Sequence, residues 1–427
     1  MSDPMSINDT VANQPITGQQ RYTWQLLLRI FLPFALGYFL SYLFRVVNAI
    51  IAGDLNIDLD LNASELGFLT SAYLIIFAAI QLPLGVLLDR YGPRRTEAFL
   101  LLFAALGAAI FATATNFDML VIGRALIGLG VSACLMAAFK SFVQWFPADR
   151  LPLTNGLHMT AGGLGVLCAS SPTAWLLETL VWRELFWILA VATFIVAFIV
   201  FFAVPDKPSS ANQVSLGEHV SGIFHIFSDR YFWRIIPVAV TTQAAALALI
   251  GLWTGPWFRD IAGFNESEVA SSLTLLAVSM IIGYIVIGYV AYAFNKRGFN
   301  SLTIALIGMT AFILMQLVLV FHPVQFARSV WMLFGFFSTS SILIYAALSQ
   351  RFSVQLAGRA NTALNFLVFV AGFFTQWGIG VVIDAFPSEI VGYYAVEGYH
   401  QVFVYLVGVQ SVGLLWYWFS PYWLSRR

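Results

Sequence analysis

An arginine lies inside the first long apolar segment of the chain, and polar residues recur around it at helical spacing. Tyr38, Ser41, Tyr42, Arg45 and Asn48 are three, one, three and three positions apart, which places them on one face of a helix. An arginine at membrane depth costs at least about 2.5 kcal/mol, so it should face water or a partner, and its planar donors suit a carboxylate or a phosphate. The pattern predicts an anion-binding site whose substrate-binding candidates are Tyr38, Tyr42, Arg45 and Asn48. An arginine that extends to the outer lipid headgroups is the alternative.

Two further titratable residues lie in later apolar segments. His158 is the only histidine inside such a segment, and a histidine can change its charge near neutral pH. Lys140 lies near the end of the preceding segment, where it lines an inner vestibule or extends to lipid headgroups. Both residues are candidates for coupling transport to protons, and a hydrogen-bonded packing role is the alternative for His158.

Neutral hydrogen-bonding residues recur at helical spacing in two segments of the second half. Gln243 and Trp253 lie in one of these segments, and Asn365 and Gln376 lie in the other. All four are candidates for the second wall of the binding site. The alternative is a set of bonds between helices, each worth about 0.6 kcal/mol.

The acidic residues avoid the apolar segments. None of the 21 Asp and Glu residues falls in the middle of a segment, and Asp89, Glu97 and Asp384 lie at segment ends. A carrier of cations needs an embedded carboxylate to hold its substrate. Because the embedded charges are positive, the sequence favours an anionic or zwitterionic substrate. The same distribution leaves the proton acceptor unnamed.

The composition excludes several classes of protein. Of 427 residues, 60% are hydrophobic and 10% are charged, far below the roughly 25% charged residues of soluble domains. A net charge of zero gives no electrostatic case for nucleic acid. Cys134 and Cys168 lie in apolar segments, so we expect neither disulfides nor a thiolate metal site, and no cofactor. There is no phosphate-binding glycine-lysine motif and no paired nucleophile and base, so we expect neither an ATP-driven pump nor an enzyme.

The elements that must position these residues are membrane-spanning helices. About 20 mostly apolar residues span a bilayer, and twelve such segments are present. They cover about 27–51, 64–88, 96–115, 119–146, 155–177, 184–204, 235–258, 268–294, 300–321, 329–350, 360–384 and 401–422. The predicted domains are an N-terminal tail (1–26), a first six-helix bundle (27–204), a linker (205–233), a second six-helix bundle (234–422) and a C-terminal tail (423–427). The first twenty residues are polar, so we expect no cleaved signal peptide.

The distribution of Lys and Arg predicts the orientation. Fifteen of the 21 basic residues lie on one side of the predicted spans, three lie on the other, and three lie within spans. Because positive residues concentrate on the cytoplasmic side, both termini should be cytoplasmic. We therefore expect a multi-pass protein of the plasma membrane, in a bacterium the inner membrane.

A charged loop with an internal echo carries a family resemblance. The loop from Gly85 to Arg95 has the pattern Gly85-x3-Asp89, then a Gly-Pro turn and two arginines, and Gly288-x3-Tyr292 repeats its start in the second half. The loop resembles the signature between the second and third helices of the major facilitator superfamily. The segment that begins at Arg124 resembles the fourth-helix arginine motif of that family. The resemblance implies an all-α integral membrane protein with twelve transmembrane helices in two pseudo-symmetric six-helix bundles.

The resemblance also implies a function. Members of this family are secondary transporters, and an arginine in the first span resembles their organic-anion carriers. We therefore expect proton-coupled symport of a small organic anion or zwitterion by alternating access, carried out by a monomer. In the family, the arginine that matches Arg124 is linked to proton coupling; a structural hydrogen-bond role is the alternative. The loop locks the cytoplasmic side, with gating candidates Gly85, Asp89, Arg90, Gly92, Arg94 and Arg95; a role in topology alone is the alternative.

A second function stays open. The small-residue-rich fifth segment resembles the fifth helix of proton-driven antiporters, although Ala169 and Ser170 replace the expected glycine-proline pair. Efflux of drugs, siderophores or metabolites on the same fold is therefore the alternative to uptake.

Overall fold

The computed structural model describes residues 24–146, 151–206, 226–298, 300–352, 354–388 and 392–424. These residues form helices and turns, and no strand occurs among them. Most of the predicted N-terminal tail and linker, and part of the C-terminal tail, lie outside the described residues.

The first half contains six membrane-spanning segments that follow the predicted order. The second and third spans form one continuous element that is interrupted at Gly92, where φ is +79°. The fifth span is divided into two helices around Ala169 and Ser170. The helices of this half are Leu32–Val46, Asn48–Leu59, Ala63–Ala112, Phe117–Val131 with Cys134–Trp145, Leu151–Cys168 with Ser171–Leu177, and Trp182–Ala203.

The second half contains the other six spans. Its seventh span has a π-helical segment at Leu249–Trp253, and its tenth span has a 3-10 turn at Thr339–Ile342. Its α-helices are Arg230–Ala248 with Thr254–Asp260, Glu266–Asn295, Ser301–Val320, Ala327–Ser338 with Leu343–Arg351, Val354–Asp384, and Val396–Leu424.

The predicted all-helical membrane fold is confirmed. Within the described residues, eleven helices are long and apolar enough to cross a membrane. The remaining crossing is the fifth span, whose first helix carries Asn155, His158 and several glycines and is therefore less apolar. The twelve helices lie close to the segments predicted from hydropathy.

The same helix-capping motif begins one span in each half, the second span and the eighth span. Asn62 caps the second span and forms a capping box with Glu65, and Asn265 does the same for the eighth span with Glu268. In each box, the asparagine side chain accepts from a backbone N–H and the glutamate accepts from the asparagine N–H. Asn265 lies 203 positions after Asn62, the offset that also separates Gly288 from Gly85. The echo seen in the loops therefore extends to the helix caps.

The two halves meet at the end of the bundle opposite the charged loop, here called the closed end. Asp384 of the eleventh span accepts hydrogen bonds from the backbone N–H groups of Ala63 (2.9 Å) and Ser64 (2.7 Å) at the start of the second span. Trp377 Nε1 donates to Ser64 Oγ over 3.3 Å. A Cβ atom on Gly380 would overlap the backbone oxygen of Ala63, so glycine permits this close approach.

Two further contacts join the halves at this end. Asn56 Nδ2 donates to the Tyr394 hydroxyl over 3.3 Å. Ser171 of the fifth span contacts Thr274 of the eighth, with 2.7 Å between the two hydroxyl oxygens. The closed end is thus held by polar contacts between several pairs of spans.

The opposite end, here called the loop end, is held differently. None of the hydrogen bonds and ion pairs that the charged loop makes with described residues reaches the second half. Asp89 pairs with Lys140 of the fourth span, and Lys140 Nζ also donates to Leu88 O over 2.8 Å. Arg95 pairs with Asp206 (2.9 Å), which follows the sixth span. The structure is therefore joined across the halves at the closed end and not through the loop.

Candidate functional site

Arg45 lies at the centre of the molecule with aromatic rings around its guanidinium group. The carbon Cζ of Arg45 is 4.5 Å from the ring centroid of Tyr42, 5.9 Å from that of Tyr73 and 5.5 Å from that of Phe77. The ring of Phe369, from the eleventh span, lies 5.2 Å away. These distances fall within the range of cation–π contacts. The arginine is thus placed at the boundary between the halves.

No carboxylate neutralises this arginine in the described part of the chain. None of the ion pairs there includes Arg45, and its Nε has no hydrogen-bond partner although it is buried. A guanidinium group carries five donors and tends to bind a planar anion with two of them. A half-buried arginine with an unused donor is therefore prepared to bind an anion that the chain itself does not supply.

The second half presents neutral polar groups towards the same region. The Tyr345 hydroxyl lies 3.3 Å from Gln243 Oε1 and 3.2 Å from Asn365 Oδ1, and it donates to one of them at a time. Tyr345 and Tyr284 also lie within electrostatic range of Arg45 and Tyr42 across the boundary. The sequence analysis named Gln243 and Asn365, which the structure brings together through Tyr345.

Sequence reasoning missed the aromatic part of this arrangement. Tyr73, Phe77 and Phe369 come from the second and eleventh spans, and Tyr284 and Tyr345 come from the eighth and tenth. Each looks like an ordinary apolar or packing residue when its own span is considered alone. Only the packing of four spans against the first shows that they surround one charge.

Arg124 lies behind the same aromatic cluster. It is completely buried, its Nη1 donates to the backbone oxygen of Phe44 over 2.8 Å, and its Cζ lies 5.3 Å from the Tyr73 ring. A Cβ atom on Gly128 would overlap the backbone oxygen of Tyr73, so this glycine brings the fourth span close to the second. Tyr73 therefore lies between two arginines. The bond to the first span is the structural role that the sequence analysis kept as the alternative to coupling.

Three of the predicted substrate-binding residues lie elsewhere. Asn48 begins a new helix after the first span, is fully buried, and donates to Thr70 Oγ1 over 3.0 Å. Trp253 is buried and donates through Nε1 to the backbone oxygen of Gln376, whose side chain is also buried. In the described conformation these residues hold helices together and are closed to a ligand. The face predicted from spacing does not extend past the helix break before Asn48.

Tyr38 and His158 form a packed pair beside the site. The two rings stack with centroids 4.5 Å apart, and Phe142 lies edge-on to the histidine at 5.3 Å. The Tyr38 hydroxyl donates to Met159 Sδ over 3.4 Å. Both nitrogens of His158 are buried, and besides its aromatic neighbours the ring lies beside the backbone of Cys134.

The gating residues lie together at the loop end. Gly92 adopts the left-handed conformation that a turn needs, and the helix resumes at Pro93, as the sequence predicts. Arg94 Nη1 donates to Val204 O over 3.2 Å and its Cζ lies 5.1 Å from the Phe201 ring. Lys140, expected to line a vestibule or to reach headgroups, forms an ion pair with Asp89.

Glu97 lies near the start of the third span, one turn after Gly92, and is completely buried. Neither carboxyl oxygen meets the geometric criteria for a hydrogen bond among the described residues. The position of Glu97 at a span end did not indicate this burial. In the described part of the chain, no group of three or more His, Cys, Asp and Glu residues could hold a metal ion.

A comparison with models of protein families identifies the family to which the chain belongs. A model of the Major Facilitator Superfamily matches residues 34–376. The chain belongs to this superfamily. The relatives that share this superfamily are transporters and not enzymes.

Individual relatives within the superfamily match in part. A nitrate/nitrite transporter of Picosynechococcus sp. is 34% identical over 108 residues, which cover 25% of this chain and 20% of that protein. A hexuronate transporter of Escherichia coli K12 is 23% identical over 252 residues, which cover 55% of this chain and 58% of that protein. The chain thus spans a fifth to just over half of the length of these two relatives.

Solved structures of the superfamily match over nearly the whole chain. The crystal structure of a bacterial homolog of the human lysosomal transporter Spinster, inward-facing and unoccupied, superposes with a TM-score of 0.75. The match covers 94% of this chain and 97% of that one at 16% identity. At this identity the likeness establishes the twelve-helix fold and nothing about the substrate.

Proposed function

We propose that the chain moves a small organic anion or zwitterion across the membrane by alternating access, as a proton-coupled uptake system. The observation that carries this proposal is Arg45, a half-buried cation at the boundary between the halves with an unused Nε donor and no carboxylate partner in the described residues. A charge kept in such a place without compensation needs a reason, because a buried ion costs several kcal/mol when unpaired. A transported anion supplies that compensation.

The matched relatives agree with this substrate class. Nitrate and hexuronates are anions, and the proteins that carry those names share partial matches with this chain. The aromatic rings around Arg45 restrict the orientation of its guanidinium group, and Gln243, Tyr345 and Asn365 offer hydrogen bonds from the other half. We propose that the carboxylate or nitrate group binds Arg45 and that the neutral groups of the second half bind the rest of the substrate.

The described conformation supplies one state of the transport cycle. If the loop end faces the cytoplasm, as the Lys and Arg distribution predicts, the contacts around Asp384 close the outside and the site opens inwards. We propose that both termini are cytoplasmic, that the protein acts as a monomer, and that it resides in the plasma membrane, in a bacterium the inner membrane. The Gly85 to Arg95 loop then closes the cytoplasmic side in the opposite state.

Coupling to protons is the part of the proposal that rests on individual residues. Arg124, Lys140 and His158 stay candidates, each buried or half-buried in the first half near the substrate arginine or the loop. If one of them carries the coupling, its substitution should alter the response to a pH gradient more than it alters substrate binding.

Uptake by proteoliposomes tests the substrate class and the direction. Purified protein is reconstituted and assayed with radiolabelled D-glucuronate, D-galacturonate and nitrate, with and without an inward pH gradient, beside the Arg45→Ala variant. We expect saturable uptake of at least one of these anions, faster with the gradient, and none by Arg45→Ala. Uptake that Arg45→Ala leaves unchanged would contradict the binding role of Arg45. Substrate that leaves loaded vesicles only when protons enter would instead favour efflux.

A further inference from the structure

The carboxyl group of Glu97 is buried without an ion-pair partner, in the described part of the chain, that would stabilise a negative charge. It lies in the third span with no exposed surface, and Oε1 and Oε2 both lack a hydrogen-bond partner among the described residues. The other acidic side chain that is almost fully enclosed, Asp260, differs in this respect. Asp260 pairs with Arg259 over 2.6 Å and accepts from the Tyr399 hydroxyl over 2.8 Å. Burial of Asp260 is thus compensated, and that of Glu97 is not.

The walls around the Glu97 carboxyl group come from three spans. A Cβ atom on Gly37 of the first span would overlap Oε1 of Glu97 and would lie 3.6 Å from Cys134 Sγ. Gly37 therefore leaves the space that the carboxyl group fills. Among the described residues, the Cys134 thiol of the fourth span is the titratable group that interacts with Glu97. No ion pair in the described part of the chain includes Glu97; Arg45 acts electrostatically on Cys134, and Lys140 of the fourth span is paired with Asp89.

A carboxylate in this pocket would be costly. An ionised group that leaves water without a partner carries a penalty of several kcal/mol, and a protein usually avoids it by keeping the group neutral. Among the described residues, the group that interacts with the Glu97 carboxyl group is the Cys134 thiol, and a thiol is too weak a donor to compensate a full charge. Glu97 therefore carries a proton in this conformation.

His158, which also neighbours Cys134, is a less favourable site for a proton than Glu97. It is beside the backbone of Cys134 and is surrounded by Phe31, Tyr38 and Phe142. A proton would make His158 a buried cation without a counter-ion. The same proton on Glu97 removes a charge. The packing therefore favours Glu97 as the protonated member of this pair of neighbours.

We propose that Glu97 is the group that binds and carries the coupling proton, an inference that rests on the anion-transport function proposed above. In the state open to the outside, the carboxylate takes one proton from water and becomes a neutral acid. The neutral acid is then enclosed between Gly37 and Cys134, as in the described conformation. When the contact between the first, third and fourth spans loosens and water enters, the same proton leaves to the cytoplasm. For a monovalent anion, the step moves one proton and one negative charge together.

Infrared spectroscopy tests the protonation without any substrate. A carboxylic acid in a dry site gives a carbonyl stretch that a carboxylate lacks, and the difference spectrum between wild type and Glu97→Gln isolates this group. We expect a protonated-acid band at pH 7 in the wild type that is absent from Glu97→Gln and retained in Glu178→Gln, the same change at an exposed position. A protonated-acid band that persists in Glu97→Gln would overturn the proposal. Circular dichroism of Glu97→Gln confirms that the helices are intact.

Transport of D-glucuronate tests the coupling. One proton per anion gives about a tenfold accumulation for a gradient of one pH unit. We expect Glu97→Gln to exchange internal for external glucuronate at a rate near that of the wild type, but to lose accumulation in response to the gradient. His158→Gln should keep it. Retained accumulation in Glu97→Gln would overturn the coupling role.

The two experiments separate this inference from the function on which it rests. If the wild type transports none of glucuronate, galacturonate and nitrate, the proposed substrate class fails, and the infrared band still decides whether Glu97 holds a proton. If the wild type transports an anion without any response to a pH gradient, proton coupling fails as a whole. If the response is present and Glu97→Gln keeps it, only the assignment to Glu97 fails.

Discussion

Lys140 holds Asp89 inside the first half of the molecule. The pair joins the end of the second span to the fourth, and Lys140 also donates to the backbone oxygen of Leu88 over 2.8 Å. An Asp89 that is engaged in this way is not available to the second half. The proposed gate therefore contains two competing partners for one carboxylate: Lys140 in the described state, and a group of the second half when the loop end closes.

This competition predicts opposite effects for the two members of the pair. Lys140→Gln frees Asp89 and should shift the population towards the state closed at the loop end. Asp89→Asn removes the charge that this closure uses and should shift it the other way. Spin labels at Phe202→Cys and Tyr292→Cys, two exposed positions of the two halves, report the distance across the loop end. Labels at Trp175→Cys and Phe326→Cys report the closed end. Equal shifts in one direction would mean that the pair stabilises the fold and takes no part in gating.

The glycines of the eleventh span predict a second effect on the same equilibrium. A Cβ atom at Gly380 would overlap the backbone oxygen of Ala63, whereas one at Gly378 would meet nothing within 4 Å. Overpacking of a tight contact costs about 1–3 kcal/mol. We expect Gly380→Ala to shift the distribution towards opening of the closed end by roughly a factor of 5 to 150. Gly378→Ala is the matched control, and the spin-label distances measure both. An unchanged distance in Gly380→Ala would show that the contact yields without separating the halves.

Arg45 predicts a separation of stability from binding. Because its charge has no carboxylate partner in the described residues, Arg45→Met removes an uncompensated ion and should leave the Tm of the purified protein unchanged or higher. The same change should remove the thermal shift that D-glucuronate or nitrate produces. Arg45→Lys keeps the charge but loses the two-donor geometry, so binding should weaken about tenfold or more. A large drop in Tm for Arg45→Met would assign Arg45 to folding.

His322 predicts how stability changes in acid. It lies between the ninth and tenth spans, and burial together with the nearby His400 lowers the pKa of its imidazole below the usual value of 6.5, against a smaller effect of Glu397. The unfolded chain then binds more protons than the folded one below about pH 6.5, so this contribution to stability is present above that pH and is lost as pH falls. His322→Asn, which tolerates the positive φ of 47° at this position, should show a smaller loss of Tm between pH 7.5 and pH 5. An identical loss in both proteins would rule out this contribution.

The features that could be predicted from the sequence are those that depend on the local composition of the chain. Twelve apolar segments gave the spans, and the glycine-proline pair at Gly92 gave the turn, because hydropathy and backbone freedom are properties of neighbouring residues. The surroundings of Arg45 could not be predicted in this way, since Tyr73, Phe369 and Tyr345 reach it from separate spans. The helix break before Asn48 does not show in the spacing of the polar residues. The burial of Glu97 does not show either, because a position at the end of a span does not decide whether a side chain faces water or the bundle.

Asp384 has a consequence for the medium in which the protein works. Its exposed carboxylate sits on the start of a helix that belongs to the other half, while Asn62 already caps that helix from within. The contact between the halves is therefore an electrostatic one that can be removed without fraying the helix. Mobile ions weaken such exposed contacts, with a screening length of about 10 Å at 0.1 M salt. In the proposed orientation the closed end faces the outside of the cell, so a higher external salinity should favour the state that is open to the outside.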